Sequence, residues 1–275
     1  MSKSGNKAEY WDQVAKNWYR RSPRCDLIDE HGQKTHLSLV SRWGGLTRGD
    51  RILKTDLFDV AFNTHPFLFD LARDSSDVIG IDVSRKVVDA VRKRAELEDL
   101  DAGRYLCCDV RHVPLKEASV DLIISDSTLD HFPHERDVVD ALRELRRVLK
   151  PGGTLILTID NKSNLTYPPY WLIRLWMRFR MAPFYIGKTL SISKLRSIMT
   201  EIGFSVEEST AIFHSPHPDV LVRLLERVLR WLSRGRLDDV IRKSLIAFDK
   251  LGEIRTRYLT GRYIALKAVK RGTVE

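Results

Sequence analysis

Short runs of aliphatic and β-branched residues recur at wide spacing along residues 1–160, and the stretches between them carry apolar positions at a helical period. That alternation predicts βαβ units feeding a parallel sheet. Arg51-Ile-Leu-Lys-Thr55 is the first strand expected, Asp77-Val-Ile-Gly-Ile-Asp82 the second and Gly103-Arg-Tyr-Leu-Cys-Cys-Asp109 the third. Val120-Asp-Leu-Ile-Ile-Ser125 and Thr154-Leu-Ile-Leu-Thr-Ile159 follow as fourth and fifth, with 204–213 and 262–269 as sixth and seventh. Helices are expected over 8–19, 67–73, 85–97, 135–149 and 193–203. Ser84 reads as an N-cap, its hydroxyl accepting from an orphan N–H of the first turn. Lys150-Pro-Gly-Gly153 reads as a helix stop, because proline lacks the N–H and glycine tolerates the left-handed conformation.

The sum is an α/β fold: a doubly wound, mostly parallel seven-stranded sheet in one structural domain. Residues 1–160 are expected to hold the N-terminal helix and the ligand-binding half of the sheet, and 161–275 the remaining strands. Insertions at 161–190 and 214–261 both begin at carboxyl ends of strands, so they are expected to form a helical cap over that edge. In the first, Trp171, Leu172, Leu175, Trp176 and Phe179 share a helical stripe, with Arg174 and Arg178 beside it. In the second, Arg223, Arg227, Arg230 and Arg234 lie opposite Leu221, Leu224, Leu225, Val228 and Leu232.

Charge sharpens this picture. The chain has a formal net charge of +9, and residues 165–275 carry 20 Lys and Arg against 10 Asp and Glu. Either the apolar stripes pack on each other as a substrate lid with the arginines solvated, or they lie in a bilayer interface against anionic headgroups. No nucleic-acid partner is expected, because the arginines belong to leucine-rich amphipathic helices and no base-reading motif accompanies them. Hydrophobic residues at 43% and charged ones at 30% exclude global disorder. Three cysteines (Cys25, Cys107, Cys108) make no disulfide framework. With no signal-like leader and no long apolar window, a cytoplasmic location, membrane-peripheral at most, is expected. His65, His112, His134, His214 and His217 form no ligand-type spacing, and no metal is expected.

In such a sheet a ligand lies beyond the carboxyl ends of the strands, which makes Asp56 to Asp59, Asp82, Asp109 and Ser125 to His131 the chemical shortlist. A carboxylate closing the second strand can accept hydrogen bonds from both hydroxyls of a ribose, and Asp82 stands there. Asp109, one strand on, is placed to take an adenine amino group. His131 faces the acceptor side and titrates near neutrality in water, which suits a general base.

Five segments then line up with a known family: Tyr10 to Trp18, Gly80-Ile-Asp-Val-Ser84, Cys108-Asp-Val110 through Leu115, Val120 through Phe132, and Leu142 to Gly153. Together they resemble the class I S-adenosylmethionine-dependent methyltransferases, the branch with quinone-biosynthesis enzymes in particular. The resemblance implies a Rossmann-like fold, S-adenosyl-L-methionine as cofactor and methyl transfer to an apolar acceptor, lipidic or prenylated molecules included. It implies Asp82 with Val83 at the ribose, Asp109 with Val110 at the adenine, and Thr55, Asp56, Phe58 and Asp59, beside Ser125, at the methionine end. Tyr167, Tyr170 and Trp171 are expected on the acceptor side.

One segment departs from that family. Its first strand ends in an acid followed by a glycine-rich turn, whereas Leu53-Lys-Thr-Asp-Leu-Phe-Asp59 has no glycine, and Lys54 stands at the acid's place. Asp56 and Asp59 are placed to meet the cationic groups of the cofactor, with Lys54 answering its carboxylate or pairing with Asp56. The other reading is a structural charge network in a catalytically inactive protein of this fold, serving as a peripheral membrane or partner-binding module.

Overall fold

The computed structural model describes residues 7–21, 26–64, 66–73, 77–179, 185–187, 190–214 and 236–272. Seven strands form one sheet: β1 (Arg51–Thr55), β2 (Asp77–Asp82), β3 (Tyr105–Cys107), β4 (Val120–Asp126), β5 (Leu149–Asp160), β6 (Phe204–Ile212) and β7 (Tyr263–Lys270). Their order is β3-β2-β1-β4-β5-β7-β6. β7 runs antiparallel to both β5 and β6, and the remaining pairs are parallel.

Helices cover both faces, which is why the central strands read as continuous apolar runs. One face carries α6 (Glu135–Val148) and α8 (Ile192–Ile202), whose Ala141, Leu142, Leu145, Leu195 and Met199 pack with Leu53, Ile123, Leu155, Leu157 and Leu266 of the sheet. The other carries α2 (Asp26–Trp43), α3 (Phe58–Phe62), α4 (Phe67–Arg73) and α5 (Arg85–Leu97), buried against Ile52, Val78, Leu122, Ile124 and Ile156. Consecutive strand residues thus serve opposite cores. Ser84 caps α5 as expected, its Oγ accepting from Val87 N at 3.3 Å, and Gly203 closes α8 at φ 102°.

Several expectations are corrected. The third strand shrinks to three residues, since Ala102–Arg104 form a 3-10 turn ahead of it and Asp109, whose carbonyl accepts from His112 N at 2.8 Å, already opens a turn after it. β5 starts at Leu149, because Leu149 pairs with Val120 and Thr154 with Leu122; Pro151 to Gly153 form the bulge between them, with Gly152 at φ 76°. The helix α2 has no counterpart in the sequence reading. Its inward face carries Gln33 and His36 among Leu39, Val40 and Trp43, which blurs the apolar period. In the insertions, α7 (Tyr170–Arg178), α9 (Arg236–Asp249) and α10 (Arg257–Thr260) are described. The expected helix over 220–234 lies outside the described residues. α9 meets α2 through Arg242–Glu30 at 2.8 Å and His31–Asp249 at 3.2 Å.

Candidate functional site

Strand order reverses between β1 and β4, and a cleft opens beyond the carboxyl ends of β1 and β2 at this switch point. It is lined by Lys7, Trp11, Thr55, Asp56, Phe58, Ile81, Asp82, Val83, Cys108, Asp109, Val110, Thr128, His131 and Phe132. The structure therefore gathers Thr55, Asp56, Phe58, Asp82, Val83, Asp109, Val110 and His131 of the expected site. Lys7 was not singled out. Thr128 fell inside the 125–131 shortlist without a role, and Trp11, Ile81, Cys108 and Phe132 were visible only as motif residues.

The glycine-free turn is built from side chains. Asp56 takes the left-handed conformation at φ 66°, which aspartate tolerates better than most residues, and its Oδ1 accepts from Phe58 N at 2.8 Å in an Asx turn. Lys54 is fully buried beneath it. Its ammonium donates to Asp56 O at 2.7 Å and to Asp59 Oδ1 at 2.9 Å. Burial disfavours that charge, but the carboxylate of Asp59, with that of Asp126 beyond it, outweighs it and raises the Lys54 pKa. Asp59, which Gln33 Nε2 also reaches at 3.3 Å, is thus a counter-ion beneath the cleft and does not line it. Lys54 and Asp59 are a structural pair, and the side chain left at the surface of the turn is Asp56.

Asp82 closes β2 with its Oδ2 accepting from Leu57 N at 2.9 Å and its Oδ1 from Ser84 N at 2.8 Å. A carboxylate has about four lone-pair sites, so two remain for a diol. Burial pushes the Asp82 pKa up to about 6, against the pull of the two backbone donors. Ser84 also links this corner to α1 (Lys7–Arg21): its Oγ donates to Asp12 Oδ1 at 2.6 Å, and Lys86 N donates to the same oxygen at 3.0 Å. Docked in this way, α1 lays Lys7 and Trp11 over the cleft.

Asp109 and Ser125 are placed differently from the expectation. The Asp109 carboxylate is taken by Arg111, whose Nη2 lies 2.6 Å from Oδ2 and whose Nε lies 3.0 Å from Oδ1, while Asp137 holds the same guanidinium at 2.6 Å. Burial raises its pKa and the Arg111 bonds lower it further, leaving it below the ordinary value. The side chain lines the cleft but is committed to Arg111. Ser125 is fully buried behind Thr55, whose Oγ1 donates to it at 3.0 Å and meets Thr128 Oγ1 at 2.7 Å.

His131 sits in a one-turn helix, Leu129–His131, after β4. Its Nδ1 lies 3.1 Å from Tyr185 O, a contact that fixes the proton on Nδ1, and its ring meets Trp11 edge-on at 4.7 Å. Burial drives its pKa down to about 4. At neutral pH the imidazole is therefore uncharged, and it is a weaker base than the free side chain. Behind the cleft, His36 points Nδ1 at Gly32 O, 2.9 Å away, and pairs with Asp126, whose Oδ1 lies 3.0 Å from Nε2 but off the line of its N–H. An acceptor beside each nitrogen favours the imidazolium. Burial works against that charge and Asp126 overrides it, raising the His36 pKa.

Two of the expected acceptor residues, Tyr167 and Trp171, lie away from the cleft. Tyr167 is half-buried in the loop before α7. α7 buries Ile173 and turns Trp171 (68% exposed), Leu175 and Phe179 (64%) outward, while Leu172 and Trp176 of the expected stripe are half-buried. The Tyr170 side chain lies outside the described residues. No group of His, Cys, Asp and Glu suited to a metal occurs among the described residues.

With this geometry in view, comparison with known proteins is informative. Residues 58–157 match the family model described as a methyltransferase domain. The sheet order and the surrounding helices are those of the class I S-adenosylmethionine-dependent methyltransferase fold, and the chain carries that fold. A Mycolicibacterium smegmatis protein named as a probable S-adenosylmethionine-dependent methyltransferase is 28% identical over 138 residues, 48% of this chain and 49% of its own length. The ubiquinone biosynthesis O-methyltransferase of Acinetobacter baylyi is 24% identical over 216 residues, 76% of this chain and 82% of that protein. Several other curated relatives are matched over less than half of their length. Among solved structures, phosphoethanolamine N-methyltransferase 2 of Haemonchus contortus superposes with a TM-score of 0.63 at 15% identity, covering 99% of this chain and 62% of that one.

Proposed function

We propose that the chain transfers a methyl group from S-adenosylmethionine to an apolar small molecule. The observation that carries this reading is Asp82. It closes β2 at the switch point, lines the cleft, and retains acceptor capacity after its two backbone bonds. The donor set fits the cofactor: Asp82 suits a ribose diol, Asp56 a cationic end, and Val83 with Val110 an adenine edge. S-adenosylmethionine supplies an electrophilic methyl group on sulfur, and in-line displacement draws its acceleration chiefly from alignment.

In this reading Trp11, Phe58 and Phe132 shield the reacting centre from water, and the Asp12 bond to Ser84 keeps α1 in place above it. His131 stays neutral and accepts a hydrogen bond from the acceptor group, with Tyr185 holding its tautomer. Calorimetric titration with S-adenosylmethionine and S-adenosylhomocysteine tests the cofactor assignment. Micromolar binding that Asp82→Ala weakens about tenfold or more is expected, the loss of two charge-assisted bonds. No binding by folded protein would leave the chain a non-catalytic module.

The lipidic character of the acceptor is supported by the outward face of α7. Trp171, Leu175 and Phe179 are exposed beside Arg174 and Arg178, and Leu165 (77% exposed) stands in the preceding loop, its N–H donating to Leu259 O at 2.9 Å. Aromatic anchors flanked by arginines suit the interface of an anionic membrane. No described helix is long and apolar enough to cross one. Sedimentation with vesicles containing anionic lipid should pellet the protein, and Trp171→Glu with Phe179→Glu should abolish it; equal pelleting of both would remove this reading.

A further inference from the structure

Asp56 and Asp82 share one turn of backbone. Leu57 N donates to Asp82 Oδ2 and the next N–H, that of Phe58, donates to Asp56 Oδ1, so the two carboxylates sit side by side and both line the cleft. The cation nearest to them does not balance them. Lys54 is fully buried, its ammonium engaged by Asp59 and by the carbonyl of Asp56 rather than by the Asp56 carboxylate.

The other charged groups around the pair are committed as well. From α1, Asp12 is bonded to Ser84 and Lys86, and Lys7 lies over the Phe132 ring at 4.7 Å on the Asp109 side. After β3, Asp109 and Arg111 satisfy each other. At the end of β4, Asp126 is matched by His36 of α2, and His131 is uncharged. From α3 only Asp59 faces the turn, and Lys54 holds it. On α5, Arg85 and Lys86 are exposed to solvent.

Among the described residues, two adjacent half-buried carboxylates whose nearest cation is bonded to Asp59 resist ionising together. Asp82 has two backbone donors that favour its charged form, and Asp56 has one. The pair therefore holds a proton on Asp56 in preference to Asp82. Burial and the neighbouring Asp82 raise the Asp56 pKa, against the pull of Lys54 and of the Phe58 N–H.

We propose that Asp56 is the specificity-determining residue of the cleft: it carries a proton when the cleft is empty and gives it up to solvent when a ligand brings a positive charge against it. The proposal rests on the cofactor reading above and deepens it. Asp56 thereby selects the cationic methionine end of S-adenosylmethionine over uncharged nucleosides of the same shape, a task the glycine-rich turn of the family leaves to backbone. Ligand binding and proton release are linked, so affinity for the cationic ligand rises with pH, by up to about tenfold per unit for one proton.

The test is calorimetry near neutral pH in two buffers of different ionisation enthalpy, with S-adenosylmethionine and 5′-methylthioadenosine as probes. The second probe shares adenine, ribose and sulfur but carries no charge. The wild type should release up to about one proton with S-adenosylmethionine and none with methylthioadenosine. Asp56→Asn keeps an acceptor for Phe58 N and tolerates the positive φ, so it should fold, bind methylthioadenosine as before and lose the proton release. Binding of S-adenosylmethionine without proton release, or with equal release in Asp56→Asn, overturns the proposal while the cofactor reading stands. Failure of both probes to bind overturns the cofactor reading and the proposal with it. The comparison of the two probes on wild type decides the matter even where the variant does not fold.

Discussion

Replacing Lys54 by methionine is the sharpest test of how the turn is held. The side chain is fully buried, and its ammonium makes a 2.9 Å bond to Asp59 and a 2.7 Å bond to Asp56 O. Lys54→Met preserves the volume but strands the Asp59 carboxylate, whose side chain is 19% exposed, and leaves the Asp56 carbonyl without its donor. Breaking one partner of a buried pair costs about 3–5 kcal/mol. For a chain of this size that corresponds to a fall in Tm of roughly 6–20 °C. Lys54→Met combined with Asp59→Leu removes both charges, so it should be less destabilised than the sum of the two single variants, with a coupling energy of about 2–3 kcal/mol. Guanidinium and thermal unfolding of the four proteins would measure the cycle. A Lys54→Met loss below about 1 kcal/mol, or additive single and double variants, would refute the claim that this pair holds the turn.

Two further outcomes are expected. The His36–Asp126 pair stabilises the fold when both groups are charged: His36 has a raised folded pKa, so its share is full below about 6.5 and fades as pH climbs through the folded value, while the Asp126 share fades on acidification below about 4. The stability difference between wild type and His36→Gln should therefore shrink from pH 6 to pH 9, and a constant difference in denaturant titrations would count against the imidazolium. A Cβ at Gly187 would press on the carbonyl oxygens of Asp130 and Phe132, so Gly187→Ala should lift the segment carrying Tyr185 at about 1–3 kcal/mol of strain. NMR titration of that variant should show the His131 pKa rising from about 4 as water reaches the ring, even though the Tyr185 bond that raises it is weakened; a histidine that still titrates near 4 would show that this segment is not what buries it.

What the sequence revealed was local. The strands at 51–55 and 77–82, the Ser84 cap and the acid Asp82 depend on neighbours in the chain, and all stand where the pattern puts them. Which side chains meet in space was hidden. Lys54 was expected against the cofactor carboxylate or Asp56, and the fold instead buries it against Asp59, which Gln33 of α2 also reaches. Asp109 looked available until Arg111 and Asp137 closed on it. In α7 the amphipathic period was legible, but not which side would be buried: Ile173 docks, and Trp171 and Phe179 stay outside. Helix α2 was missed for the opposite reason, since its inward His36 and Gln33 make a core face look polar.

The placement of β7 between β5 and β6 bears on how the protein is made. Among the described residues β6 pairs with β7 alone, and about fifty residues separate Ile212 from Tyr263, so on the ribosome β6 emerges well before the strand that joins it to the sheet. Until β7 inserts, β5 presents an unpaired edge and β6 has no partner, the kind of exposed strand on which nascent chains associate. At about 5–20 residues per second that interval lasts several seconds, long enough for a chaperone to matter. Closing the sheet thus waits on β7, although the cleft on the other side of β4 is complete in sequence long before.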